Sequence, residues 1–146
     1  VEIDLIFRDL DESDLAFVYN SWLINFRDSN NLENLIDKKI YFDNQTALIK
    51  KILSKSEVVL ASSPEDESQI FGFIVFERFK SLNVLHYVYV KSMYRRLGIG
   101  RRLKDYAFED SEEIELPILS THMTRMSRIL THSWNLIFNP YYLLDI

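Results

Sequence analysis

Val88-Tyr89-Val90-Lys91-Ser92-Met93-Tyr94-Arg95-Arg96-Leu97-Gly98-Ile99-Gly100-Arg101-Arg102-Leu103 holds two of the chain's three glycines, one residue apart, inside a knot of arginines. An apolar, β-prone run leads into the stretch and an amphipathic, helix-prone run leads out. A strand, a glycine turn and a helix N-terminus together make an anion site. The first N–H groups of a helix have no partner within it, and the helix dipole favours negative charge there. Glycine lets the backbone approach a phosphate with no Cβ in the way. The stretch therefore reads as a pyrophosphate-binding turn, the plainer alternative being a surface turn with solvated arginines.

Two phosphate loops are excluded. No Gly-x-x-x-x-Gly-Lys-Ser/Thr string occurs, and Leu103 stands where a dinucleotide fingerprint needs its third glycine. The string Arg95-Arg96-Leu97-Gly98-Ile99-Gly100 resembles instead the Arg/Gln-x-x-Gly-x-Gly/Ala loop of the GNAT superfamily of N-acetyltransferases. The resemblance continues upstream, with Tyr94 in place and Ser92 where that family commonly has proline. In the family this loop follows the fourth strand and binds the pyrophosphate of acetyl-coenzyme A. Carried onto this chain, the resemblance implies backbone N–H groups from Leu97, Gly98, Ile99, Gly100, Arg101 and Arg102 for the pyrophosphate. Arg95 and Arg96 would add charge-assisted contacts or only raise the local potential. The strand edge at Val88, Tyr89 and Val90 would bond the pantetheine amides.

Composition bounds the rest. At 146 residues the chain is expected to be one domain, 1–146, and 47% hydrophobic with 14% aromatic residues argues for a packed core rather than disorder. The absence of cysteine excludes a disulfide framework, a thiolate metal site and a cysteine nucleophile. It also fits a reducing, cytoplasmic compartment, as does an N-terminus, Val1-Glu2-Ile3-Asp4, without the marks of a signal peptide. No apolar run is long enough to cross a membrane. A formal charge of -5 argues against a broad nucleic-acid footprint. Five of the 17 basic residues nevertheless fall between Arg95 and Lys104. A monomer or homodimer is expected.

Periodicity predicts a strand over Glu2–Phe7, a helix over Asp14–Phe26 capped by Asp11 or Ser13, and a helix over Gln45–Leu53. A short strand, Glu57–Ala61, follows. Ile70–Phe79 and Leu82–Val90 read as an antiparallel hairpin, with Gly72 marking a bulge or close backbone approach. Then come a helix over Gly100–Phe108 burying Leu103, Tyr106 and Ala107, an acidic connection at Asp110–Glu115, a strand over Pro117–Thr121, a helix over Arg125–Trp134 and a last strand over Ile137–Leu144. This order resembles that of the GNAT fold. The resemblance implies a mixed, mainly antiparallel sheet of six to seven strands with about four flanking helices. It also implies a splay between the fourth and fifth strands that holds the pantetheine.

Acetyl transfer from a thioester to an amine requires the donor to be held, the amine to lose a proton, and the leaving thiolate to be stabilised. Many GNAT enzymes carry a glutamate on the fourth strand as base, but Val84-Leu85-His86-Tyr87-Val88-Tyr89 contains none. His86 titrates near neutrality and is the candidate base, or else a core histidine. Alternation puts it on one face with Val84, Val88 and Val90, and Glu77 is the other candidate. The family's thiolate-protonating tyrosine aligns with Ser133, leaving Ser133, Tyr141, Tyr142 or solvent as the acid. Ser127 is the nearest polar substitute for the asparagine that often contacts pantetheine. Trp22, Phe26 and Arg27 would line the acceptor side. The histidines show no metal-ligand spacing, so no metal is expected. The resemblance implies an N-acetyltransferase using acetyl-CoA as co-substrate and an amine as acceptor. The alternative is a catalytically weak GNAT-like CoA-binding or interaction module.

Overall fold

The computed structural model describes residues 2–109 and 116–146, so the acidic connection read at Asp110–Glu115 lies outside the described residues. Six strands form one sheet in the order β1 (Ile6–Asp9), β2 (Glu57–Ser62), β3 (Ile70–Phe79), β4 (Leu82–Val90), β5 (Ile118–Ser120) and β6 (Leu136–Phe138). The first four are antiparallel neighbours, whereas β4–β5 and β5–β6 are parallel. Among the described residues, four α-helices flank them: α1 (Leu15–Asp28), α2 (Lys38–Leu53), α3 (Ile99–Phe108) and α4 (Arg125–Leu130).

Two apolar layers hold the sheet. On one face Val18, Trp22 and Phe26 of α1 and Tyr41, Ile49 and Ile52 of α2 pack against Leu60, Phe73, Val75 and Tyr87. On the other, Ile99, Leu103 and Ala107 of α3 pack against Val59, Ile74, Phe76 and Leu85. Both helical sets recur at three- and four-residue spacing, which places them on one stripe. The chain enters α1 through a 3-10 turn at Glu12–Asp14 whose cap is Asp11. Arg8 of β1 clamps the buried Asp14 carboxylate with two bonds of 2.7 and 3.0 Å.

Several boundaries differ from expectation. β1 begins at Ile6 rather than Glu2, where pairing with Ser62 starts. α2 begins seven residues early, because Asp37 caps it by accepting from the Ile40 N–H, while the exposed first turns lack the apolar stripe periodicity needs. α4 ends at Leu130; turns then run to Asn135, whose φ of 53° reverses the chain. The last strand is only Leu136–Phe138, and Pro140 starts a 3-10 turn over Pro140–Asp145. Tyr106 is exposed rather than core, lying stacked on Phe7 at 4.4 Å.

β4 decides the site. It pairs with β3 from Leu82 to Val90, but with β5 only at Asn83, Val84 and Leu85. The Thr121 N–H donates to the Leu85 carbonyl at 3.1 Å, and beyond this bond the two strands part. Gly72 lets β3 hold the free end of β4 closely: a Cβ there would lie 2.3 Å from the Tyr89 carbonyl oxygen. Gly72→Ala is therefore expected to lower stability by about 1–3 kcal/mol, because backbone rather than a flexible side chain must move. Urea denaturation of the variant checks this, and an unchanged midpoint would refute the tight approach.

Candidate active site

The parted strands open a cleft of about 690 Å³. Its walls are Val88, Tyr89 and Val90 of β4, the turn residues Tyr94, Arg95, Arg96 and Gly98 leading into Ile99, Gly100 and Arg101, and Thr124 to Ser127 with Ser133 and Trp134 from the α4 region. Asn25 and Ser29 close it from α1. Val90 pairs with Gly72, and the Lys91 N–H donates to the Phe71 carbonyl at 2.9 Å. This register makes Val88 and Val90 non-hydrogen-bonded partners of β3, so their own N–H and C=O groups point into the gap. Those of Tyr89 point back to β3.

Gly98 caps α3 from the left-handed region, at φ 78°, with no side chain bonded to the helix end. The N–H groups of Ile99, Gly100 and Arg101 have no intrahelical partner. The expectation for Arg102 is corrected: its N–H donates to the Gly98 carbonyl at 3.0 Å, and its guanidinium to the Ile3 carbonyl at 2.8 Å. Neither reaches the cleft. Leu97 is exposed and is not part of the lining. Arg95 is held down, with Nε on the Val90 carbonyl at 2.8 Å and its guanidinium over the Tyr89 ring. Arg96 adopts φ 67°, a left-handed conformation that nothing in its residue type announces.

Further cleft residues carried no sequence signal, because segments distant in the chain bring them in: Asn25, Ser29, Thr124 and Arg125. Trp134, read as core, is 7% exposed and still walls the cleft, with Lys104 over its ring at 5.6 Å. Ser127 lines the cleft, but its hydroxyl accepts from the Thr124 N–H at 2.6 Å in the capping box of α4. Ser133 is exposed on the wall, its hydroxyl 3.4 Å from the Leu130 carbonyl. Tyr87 stacks on Trp22 and donates to Asn25.

His86 does not share a face with Val88 and Val90. The register slips so that Val75 faces Tyr87 and Phe76 faces Leu85, leaving His86 as the extra residue of a bulge. Leu85, Val88 and Val90 therefore pack on the α3 side and Tyr87 on the α1–α2 side. His86 turns to the latter and is only 1% exposed, outside the cleft lining. There it joins a buried polar chain. His86 Nε2 lies 2.7 Å from Glu77 Oε2, which also accepts from the Tyr142 hydroxyl at 3.2 Å. His86 Nδ1 lies 2.9 Å from Thr121 Oγ1, which is 3.0 Å from His122 Nδ1. His122 Nε2 meets the Gln45 side-chain amide at 2.9 Å. The two candidate bases, Glu77 and His86, are thus one unit. Its members are too scattered in sequence for spacing to reveal them. Among the described residues, no group of three or more acidic, histidine or cysteine side chains could hold a metal ion.

The sequence profile described as the acetyltransferase (GNAT) family matches residues 16–127. The chain belongs to this family. Solved structures share the fold of this GNAT protein at low identity. A GNAT-family acetyltransferase from Staphylococcus aureus Mu50 superposes with a TM-score of 0.59 at 17% identity, over 89% of this chain and 82% of that one. The ribosomal-protein-alanine N-acetyltransferase of Brucella melitensis gives 0.55 at 16%, over 89% and 90%. The PaiA N-acetyltransferase of Thermoplasma acidophilum, solved with coenzyme A, gives 0.51 at 16%, over 76% and 74%. No curated protein sequence matches this GNAT chain.

The two loop glycines make different demands. Gly98→Ala meets no neighbour within 4 Å but must hold φ 78°, a cost of about 1–2 kcal/mol for an L-residue. Gly100→Ala places its methyl at ordinary contact distance, 3.8 Å from Val90 and 3.9 Å from Trp134. It should gain up to about 1 kcal/mol of helix propensity. Denaturation of the two variants in parallel should show opposite signs.

Burial lowers the pKa of His86, and that of His122 to about 3. In the unfolded chain His122 takes up a proton below about pH 6.5, while in the folded protein it does so only near pH 3. The His122 contribution should therefore be full above that pH and fall as the pH drops from 6.5 towards 3, by up to about 1.4 kcal/mol per pH unit. His122→Gln is expected to flatten this acid limb in pH-dependent urea denaturation. An unchanged slope would show that His122 titrates in the folded protein.

Proposed function

We propose that the protein is an N-acetyltransferase that moves an acetyl group from acetyl-CoA to an amine by direct attack, with both substrates bound. The observation that carries this reading is one continuous line of donors along the cleft. It runs from the β4 edge at Val88 and Val90 to the unbonded N–H groups of Ile99, Gly100 and Arg101, flanked by Arg95, Arg96, Arg101, Lys104 and Arg125. A two-amide pantetheine arm suits the strand edge, and a pyrophosphate suits the helix end with its cations. The bound thioester supplies an activated acetyl group. Within the protein, His86 is the proposed base, with Glu77 at 2.7 Å to balance an imidazolium. Ser133, exposed on the cleft wall, is the proposed hydroxyl at the leaving sulfur.

A second reading, a CoA-binding module without turnover, is favoured by one observation: among the described residues, no carboxylate or histidine lines the cleft. Thermal-shift titration tests the shared step. Ligand at 100 times its dissociation constant should add about 2.7 kcal/mol of stability, and no shift with either CoA or acetyl-CoA would overturn both readings. Free-thiol release over a panel of amines and peptides then separates them. Turnover on any acceptor supports the enzyme, and binding without turnover supports the module.

A further inference from the structure

Alternation at the end of β4 sends neighbouring side chains to opposite layers. Val88 and Val90 pack on the α3 side, whereas the Tyr89 ring lies against Phe17 of α1 and Phe73. All three β4 residues line the cleft, so it reaches both faces of the sheet and has a mouth on each. The α3 mouth holds the unbonded helix N–H groups and suits the donor's phosphates. Direct attack then brings the amine in from the α1 mouth, where Asn25 and Ser29 stand.

Arg95 belongs to that second mouth. Its Nε donates to the Val90 carbonyl at 2.8 Å, and its guanidinium lies over the Tyr89 ring, 5.8 Å from the centroid, on the layer opposite α3. Among the described residues its two terminal nitrogens have no hydrogen-bond or ion-pair partner. With Nε taken, they present the flat end that pairs with both oxygens of a carboxylate. Lys91 adds a second positive charge over the adjoining Phe17 ring, at 5.2 Å. Asn25 and Ser29 are neutral and already engaged, Asn25 Oδ1 by the Tyr87 hydroxyl and Ser29 Oγ by the Asn25 carbonyl at 2.7 Å. Although the chain has 22 acidic residues against 17 basic, no carboxylate among the described residues lines the cleft. A polyamine or a lysine-rich peptide would therefore meet repulsion and no counter-charge. The end of α1, capped by Ser29, brings the negative end of its dipole to the same mouth. An ammonium near that helix end and a carboxylate on Arg95 make a zwitterion the complementary acceptor.

We propose that the acceptor is a small amino acid, an amine that carries a carboxylate, and that Arg95 selects it by pairing with that carboxylate. This rests on the acetyltransferase reading above. The amine nitrogen forms its bond to the acetyl carbon as the carbon–sulfur bond breaks. The proton that the nitrogen loses balances the one that the leaving thiolate gains, so the products are an N-acetylamino acid and the CoA thiol. The carboxylate stays bound to Arg95 and takes no part in the bond changes.

Free-thiol release at saturating acetyl-CoA compares free amino acids with their carboxamides, which keep the amine and remove the negative charge. The carboxamide's amine is the less basic, so chemistry alone would favour it. The native protein should instead favour the acid form of its best acceptor by about 10- to 100-fold in kcat/KM, the worth of a hydrogen bond to a charged group. Arg95→Met should bring that ratio close to unity, and Arg95→Lys should hold an intermediate value. Protein saturated with CoA gives a binding readout without turnover: its melting temperature should rise with the amino acid and not with the carboxamide. A ratio near unity in the native protein, or a best acceptor without a carboxylate, would overturn the proposal whether or not any variant folds, and would leave the acetyltransferase reading intact. An unchanged ratio in folded Arg95→Met would overturn it as well. Failure to bind CoA, or binding without turnover on any amine, would overturn the acetyltransferase reading and the proposal with it.

Discussion

β4 is bonded to β3 along its whole length and to β5 only as far as Leu85, and this inequality organises the molecule. An unpaired strand edge presents a row of N–H and C=O groups, which proteins ordinarily cover or blunt. Here the edge past Leu85 forms one wall of a cleft, faced by α4 and Trp134. Because β3 grips the other side of β4 through the close approach at Gly72, the edge is held rigidly although half its bonding capacity is unused. The turn that follows continues the row of donors, since Gly98 in the left-handed region starts α3 with its first N–H groups directed outward. The strand edge, with the N–H groups of Val88 and Val90 facing the gap, and the helix end at Ile99 to Arg101 thus lie along one wall of the same cleft.

The bulge at His86 lies at the point where β4 parts from β5. One extra residue in β4 reverses which side chains face which layer, sending Leu85 to α3 and both His86 and Tyr87 to α1 and α2. A histidine so turned enters a low-dielectric interior, where an unpaired polar group is costly. The cost is offset because each member of the chain from Gln45 to Tyr142 has a partner. Aromatic rings enclose it: Trp22, Phe26 and Tyr87 lie edge-on to His122 at 4.8–6.1 Å. Such packing excludes water from the histidines and accounts for their lowered pKa values.

Much of this architecture was legible in the sequence. The element order, the β3–β4 hairpin, the special position of Gly72 and the turn at Gly98 that starts α3 all follow from local chemistry. Alternation, helical spacing and a glycine between arginines report on bonds made within a few residues. Element ends were less legible. The first turns of α2 are exposed and lack an apolar stripe, and α4 dissolves into turns where Asn135 takes a left-handed conformation.

The sequence by itself determined that the chain folds as an α/β sheet with a glycine turn into a helix after β4, because those features need only neighbouring residues. Tertiary structure alone decided the direction of His86, since a bulge depends on how two strands register and leaves no mark on alternation in one of them. It alone decided that Arg102 ties the N-terminal segment while Arg95 and Arg101 remain at the cleft. The same holds for the alignment of Gln45, Glu77, His86, Thr121 and His122. These residues come from two helical and strand layers and from the point where β4 and β5 separate, and only the packing of those layers brings their polar atoms within bonding distance.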